Sequence, residues 1–176
     1  RNQGMALILN LFFGVVANAA YGIAAQIQAA VATFSQGIIT ALSPRIMKSA
    51  GQGETKKMLY YSFATAKFGL LANAFVGVPL ILCMEEVLLL WLNEVPGFAL
   101  VYSQLILVFI ASTGLSAGIQ TVFLAINKVK VYHTWVSPVI LLNIPISIGL
   151  FSFGFPSYTI FIVLIVIELT AFGVRL

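Results

Sequence analysis

The chain has 176 residues, of which 61% are hydrophobic and only 8% charged, with a mean hydropathy of +1.06 and a formal net charge of +4. An average soluble domain carries roughly 25% charged residues and could not cover this much apolar surface, so hydrocarbon is the expected solvent. The basic residues lie scattered between apolar stretches, which argues against nucleic acid, and the single Cys83 leaves no internal disulfide or cysteine-based metal site.

Breaks in the apolar pattern divide the chain into about six helical segments. The first ends near Phe13, and residues 4–13 are too few to cross a core about 30 Å thick at about 1.5 Å per residue. This segment is therefore expected to have lost its beginning, and the chain to be the later part of something longer. Arg1, Asn2 and Gln3 do not make the basic start of a signal peptide. A turn at Gly14 to Asn18 leads into a second helix, residues 18–43, which is expected to stop at Pro44.

Arg45, Lys48 and a polar run ending in Lys56 and Lys57 precede the third span, residues 58–82. An acidic connection follows, holding Glu85, Glu86, Trp91, Glu94 and Pro96. The fourth span covers residues 98–126, and a basic link over residues 127–133 separates it from the fifth, residues 134–153. Gly154 and Pro156 turn the chain into the last span, residues 157–174. The expected fold is all-α: a polytopic transmembrane helix bundle forming a single membrane domain over residues 1–176, with no soluble domain.

Lysine and arginine concentrate in cytoplasmic loops, whereas acidic residues carry little topological weight. Arg45, Lys48, Lys56, Lys57, Lys128, Lys130 and Arg175 fall on one side of the alternating spans, and the other connections contain no lysine or arginine. The first segment thus runs from cytoplasm to exterior.

Three charged residues fall at membrane depth: Arg1, about 18 Å of helix below the outer end of its segment, Lys67 and Glu168. Intramembrane charges face a bundle interior or a water-filled pathway, but Lys67 also suits snorkelling, and Lys67 with Glu168 suits a structural ion pair. Asn18, Gly22, Gln26, Thr33, Gln36, Thr40 and Ser43 share one face of the second helix. That face reads either as the wall of an aqueous cavity or as a packing interface of small residues and bonded amides. Gly114 and Gly118 make a GxxxG, which reads as packing. Pro79, Pro138 and Pro145 lie within spans and are candidate helix hinges.

Enzyme chemistry finds little footing, since the chain has no aspartate, one histidine, and no HExxH, nucleophile elbow or phosphate loop. His133 lies in the basic link, where a solvated or lipid-facing position is expected, and Glu85 and Glu86 are neighbours that would point apart on a helix. No cofactor or metal is expected.

The runs Arg1, Asn2, Gln3, Gly4 and Asn10, Leu11, Phe12, Phe13, Gly14, followed by Asn18 to Ala24, resemble the start of the second half of bacterial polysaccharide flippases. These are O-antigen exporters of the MATE-like superfamily. Ser43 to Ser49, Leu90 to Leu92 and Leu142 to Ser147 extend the resemblance over nearly the whole chain. It implies a two-lobed transporter of which this chain is the second lobe, placed in the bacterial cytoplasmic membrane with the N-terminal lobe as partner. It further implies export of a lipid-diphosphate-linked oligosaccharide by alternating access, with Arg1 turned toward a central cationic cavity. The aspartate-based cation site of drug-exporting relatives has no counterpart here. Residues expected along the substrate pathway are Arg1, Gln26, Thr33, Gln36, Lys67 and Glu168. A drug or metabolite exporter of the same architecture is the alternative, and a membrane-embedded glycosyltransferase, polymerase or acyltransferase a more distant one.

Overall fold

The computed structural model describes residues 2–92 and 94–175, with the side chains of all of these except Asn2 and Val131. Among the described residues seven helices follow in order: α1 (Asn2–Gly51), α2 (Thr55–Leu82), α3 (Met84–Leu92), α4 (Ala99–Ala125), α5 (Val129–Leu141), α6 (Asn143–Ser152) and α7 (Thr159–Arg175). No strand occurs among the described residues. Four helical stretches among the described residues are long and apolar enough to cross a membrane: residues 3–51, α2, α4, and residues 132–152, which join α5 to α6.

Gly14 interrupts α1 with φ 78° and ψ −171°, a region of backbone space that is essentially closed to residues with a Cβ. The expected break thus sits where the sequence puts it, between a short arm, residues 2–13, and a long arm, residues 15–51. The expected stop at Pro44 does not occur, because the helix runs on to Gly51. A proline withdraws one N–H and already holds a helical φ, so a long, well-packed helix absorbs it. The helix ends where Gly53 takes φ 72°, letting Glu54 N–H bond the Ser49 carbonyl at 2.9 Å and Gly53 N–H bond that of Ala50 at 3.1 Å. This is a glycine-closed Schellman end. The acidic connection is likewise not all loop, since most of it coils into α3, whose Met84 and Leu88 are buried.

The prolines expected to bend spans act unevenly. Pro79 lies one turn before the end of α2, and Pro138 sits inside α5 without interrupting it, its carbonyl accepting Leu142 N–H at 3.1 Å. Pro145 lies in the first turn of α6, where its missing N–H leaves the Leu141 carbonyl without the usual donor four residues on. The fault between α5 and α6 falls there, although Leu142 keeps helical angles of −59° and −18°.

α2 and α4 pair antiparallel. Gln104 Nε2 donates to the Ile81 carbonyl at 3.2 Å and Asn73 Nδ2 to that of Ile110 at 3.0 Å, while Gly118 meets Ser62. α7 lies parallel to α4, with Tyr102 against Phe161 at one level and Ser116 against Glu168 further along. The short arm of α1 follows α6, since Gly4 faces Ile144 and the Phe13 ring meets Phe151 edge-on at 4.9 Å. This register brings the start of α2, the end of α4, the start of α5 and the end of α7 to one end of the bundle. Lys56, Lys57, Lys128, Lys130 and Arg175 therefore gather there, and Glu85 and Glu86 lie at the other.

One core holds most of the bundle, built on Leu9, Tyr21, Tyr102, Ile106, Phe109 and Phe161. Much of the rest is apolar and outward: Leu11, Phe75, Leu90 and Phe153 are each more than four-fifths exposed. A face of this kind in water would be a large association surface; in hydrocarbon it meets its own solvent.

Candidate functional site

Near the basic end, α4, α5, α7 and the long arm of α1 enclose a cavity of about 430 Å³. α1 contributes Ser35 and Gln36, α4 contributes Thr113, Ser116 and Gln120, α5 contributes His133 and Ser137, and α7 contributes Glu168 and Arg175. In a bundle so poor in charge, these polar groups converge from four helices onto one space.

At its floor Arg175 Nη1 donates to Glu168 Oε1 at 2.7 Å, with the two side chains only 4% and 6% exposed. The residues stand seven apart on α7, hence on one face and about 10 Å apart in height. Side chains on a helix lean toward its N-terminus, so Arg175 reaches back along α7 to its partner. Ser116 on α4 closes the triangle, its Oγ donating to Glu168 Oε1 at 3.1 Å and accepting from Arg175 Nη1. Arg175 Nε has no hydrogen-bond acceptor among the described residues. The Tyr132 ring lies 5.6 Å from the guanidinium carbon, adding a face-on attraction. On the wall above, His133 Nδ1 stands 3.3 Å from Ser137 Oγ.

Burying two charges costs several kcal/mol each, which their mutual attraction repays only with good geometry, so such a pair is weak grounds for stability and stronger grounds for a site. Carboxylate, guanidinium, amides and hydroxyls offer donors and acceptors together around a pair whose charges cancel. That arrangement suits a polar ligand rich in hydroxyls.

The expected site residues are divided by the fold. Gln36 and Glu168 line the cavity. Gln26 and Thr33 are exposed about a third of a turn away from the cavity-lining face of α1, and the Thr33 hydroxyl bonds back to the Ala30 carbonyl at 2.7 Å. Lys67 does not pair with Glu168: it is exposed on α2, in a separate groove with Phe63 and Leu70, and Glu168 instead meets Arg175 and Ser116 among the described residues. Arg1 lies outside the described residues. His133 is exposed, as expected, but it belongs to α5, which begins at Val129, and not to a link, and it stands on the cavity wall. Arg175 entered the sequence reading only as a charge on the basic side and Ser116 not at all, though the seven-residue spacing of Glu168 and Arg175 was the signal for their pairing.

A second polar spot lies at the fault between α5 and α6. Asn143 and Ser147, one helical turn apart, are 1% and 0% exposed, and neither the amide nor the hydroxyl has a partner among the described residues. No cluster of three or more His, Cys, Asp or Glu side chains occurs among the described residues.

Fold and cavity together define an all-helical protein with spans of membrane length and a polar chamber between them. Comparison with protein-family models, curated proteins and solved structures finds no match to this chain.

Proposed function

We propose that this chain is the second lobe of a polysaccharide flippase of the MATE-like kind, a multi-pass protein of the bacterial cytoplasmic membrane that exports lipid-linked oligosaccharide by alternating access. The single observation that carries the reading is the cavity: a chamber of about 430 Å³ with a buried Arg175–Glu168 pair and a hydroxyl and amide lining, inside an otherwise apolar bundle. Among the described residues four helical stretches are long and apolar enough to cross a membrane, and the six crossings of the proposed lobe would need the two arms of α1 on either side of Gly14 to cross separately and α7 to cross as well. The fault between α5 and α6, with Pro145 and two unpartnered polar side chains, supplies a place where a helix can bend during the cycle.

A second reading, export of a small drug or metabolite, draws on Glu168 itself, since a carboxylate in the chamber also suits a cationic cargo. The two separate in proteoliposomes holding the native protein, assayed with a fluorescent lipid-diphosphate oligosaccharide and with an amphiphilic cationic dye. Gln36→Leu and Glu168→Gln are expected to slow oligosaccharide translocation about tenfold, the effect of ~1.4 kcal/mol on the barrier. Unchanged oligosaccharide rates in both variants sink the flippase reading, and dye flux that fails in Glu168→Gln favours the second.

A further inference from the structure

On α2, Lys56, Tyr60, Phe63 and Lys67 are spaced by four, three and four residues and so form one stripe along the helix. All are outward: Tyr60 is 70% and Phe63 62% exposed, and both lysines are exposed. Beside the stripe, α2, α4 and α7 leave a groove of about 380 Å³ walled by Phe63, Leu70, Leu115, Ile119 and Phe172, and Lys67 is the one charged group among the described residues that line it. Neither Lys56 nor Lys67 has an ion-pair partner among the described residues, and the nearest carboxylate along the chain, Glu54, is held by Lys57 at 2.8 Å.

A lysine at this depth gains from a counter-ion, and the described residues supply none. The two lysine Cα atoms lie about 16 Å apart along the helix. Lys67 leans toward the N-terminus of α2, which is the basic end, and a lysine stem reaches about 6 Å. Lys56 leans the same way, so the two ammonium groups stay about 16 Å apart and a phosphate at this depth meets Lys67 alone. The apolar groove continues from this point toward the middle of the bundle, where a hydrocarbon chain fits and a soluble anion does not.

We propose that this face of α2 binds an anionic membrane phospholipid, its phosphate held by Lys67 and one acyl chain lying in the groove. The site depends on membrane embedding alone and not on the cargo of the cavity, from which it is separate.

The test uses the full-length native protein in mixed micelles, titrated with phosphatidylglycerol or with phosphatidylcholine of the same chains. Phosphatidylglycerol binds more tightly, Lys67→Gln weakens it about fivefold, the worth of one basic residue at a lipid surface, and Lys67→Arg keeps it. Lys57→Gln, whose ammonium is engaged by Glu54, changes little. Equal affinity for the two lipids, or a Lys67→Gln titration that overlays the native one, overturns the proposal. Phe63→Trp gives an independent readout: its fluorescence is quenched by brominated phosphatidylglycerol if lipid occupies the groove. An unquenched tryptophan means that protein covers this face, and that outcome overturns the proposal as well.

Discussion

Arg175 is the residue on which the cavity turns, and its position shows what a sequence reveals about a single side chain. Depth along a span follows from counting residues, so the burial of Glu168 was legible. Which neighbour it meets depends on how helices are turned about their axes, and that is set by packing that no spacing displays. Lys67 matched Glu168 in depth but projects from α2 into another groove, whereas Arg175 resembled an ordinary basic residue at a chain end. The pair leads to a prediction. Removing one partner strands a buried charge, so Glu168→Gln and Arg175→Met are each expected to cost about 3 kcal/mol in reversible unfolding of the purified protein. The double variant should lose clearly less than the sum, with a coupling of about 2 kcal/mol. Strict additivity in that cycle means the ion pair does not exist.

Among elements, the contact between α2 and α4 is the tightest, and glycine makes it so. A Cβ built on Gly118 would overlap the Ser62 carbonyl oxygen, and one on Gly114 would stand 2.8 Å from Leu70 N. Both obstacles are backbone, which cannot swing aside, so the helices would have to separate. Gly118→Ala is accordingly expected to destabilise by about 3 kcal/mol, the upper end for overpacking. Gly37→Ala, where a Cβ meets nothing within 4 Å, should be neutral or gain up to about 1 kcal/mol from helix propensity. Thermal denaturation of the two variants in detergent decides the matter, and equal melting temperatures contradict the α2–α4 register. The GxxxG was readable because small residues in a span have one main use. So was the break at Gly14, because the stretch is too long for one span and glycine is the residue that readily takes a positive φ. Pro44 misled for the opposite reason: a proline marks a lost hydrogen bond, not a lost helix, and here the helix ends seven residues later, ahead of Gly53. α3 escaped because a nine-residue helix amid glutamates and a tryptophan carries too little periodicity to stand out from a loop.

For the molecule as a whole, the decisive property is that its two ends differ in charge although nothing in water would require it. The antiparallel pairing of α2 with α4 and the parallel run of α4 with α7 place Lys56, Lys57, Lys128, Lys130 and Arg175 together, with Glu85 and Glu86 far off. Packing alone is indifferent to that sorting, because surface charges contribute little to helix contacts. Insertion into a bilayer is not indifferent, since basic connectors stay on the cytoplasmic side. The lone Cys83, exposed just past the end of α2, is a reporter already in place on the glutamate side. In sealed vesicles of one orientation, a membrane-impermeant maleimide is expected to label Cys83 from the face opposite to the one that labels Lys128→Cys in a Cys83→Ser background. Inverting the vesicles should exchange the two results. If both positions react from the same face, the connectors are not sorted across a bilayer, and the exposed apolar belt of Leu11, Phe75 and Phe153 must then meet protein and not lipid.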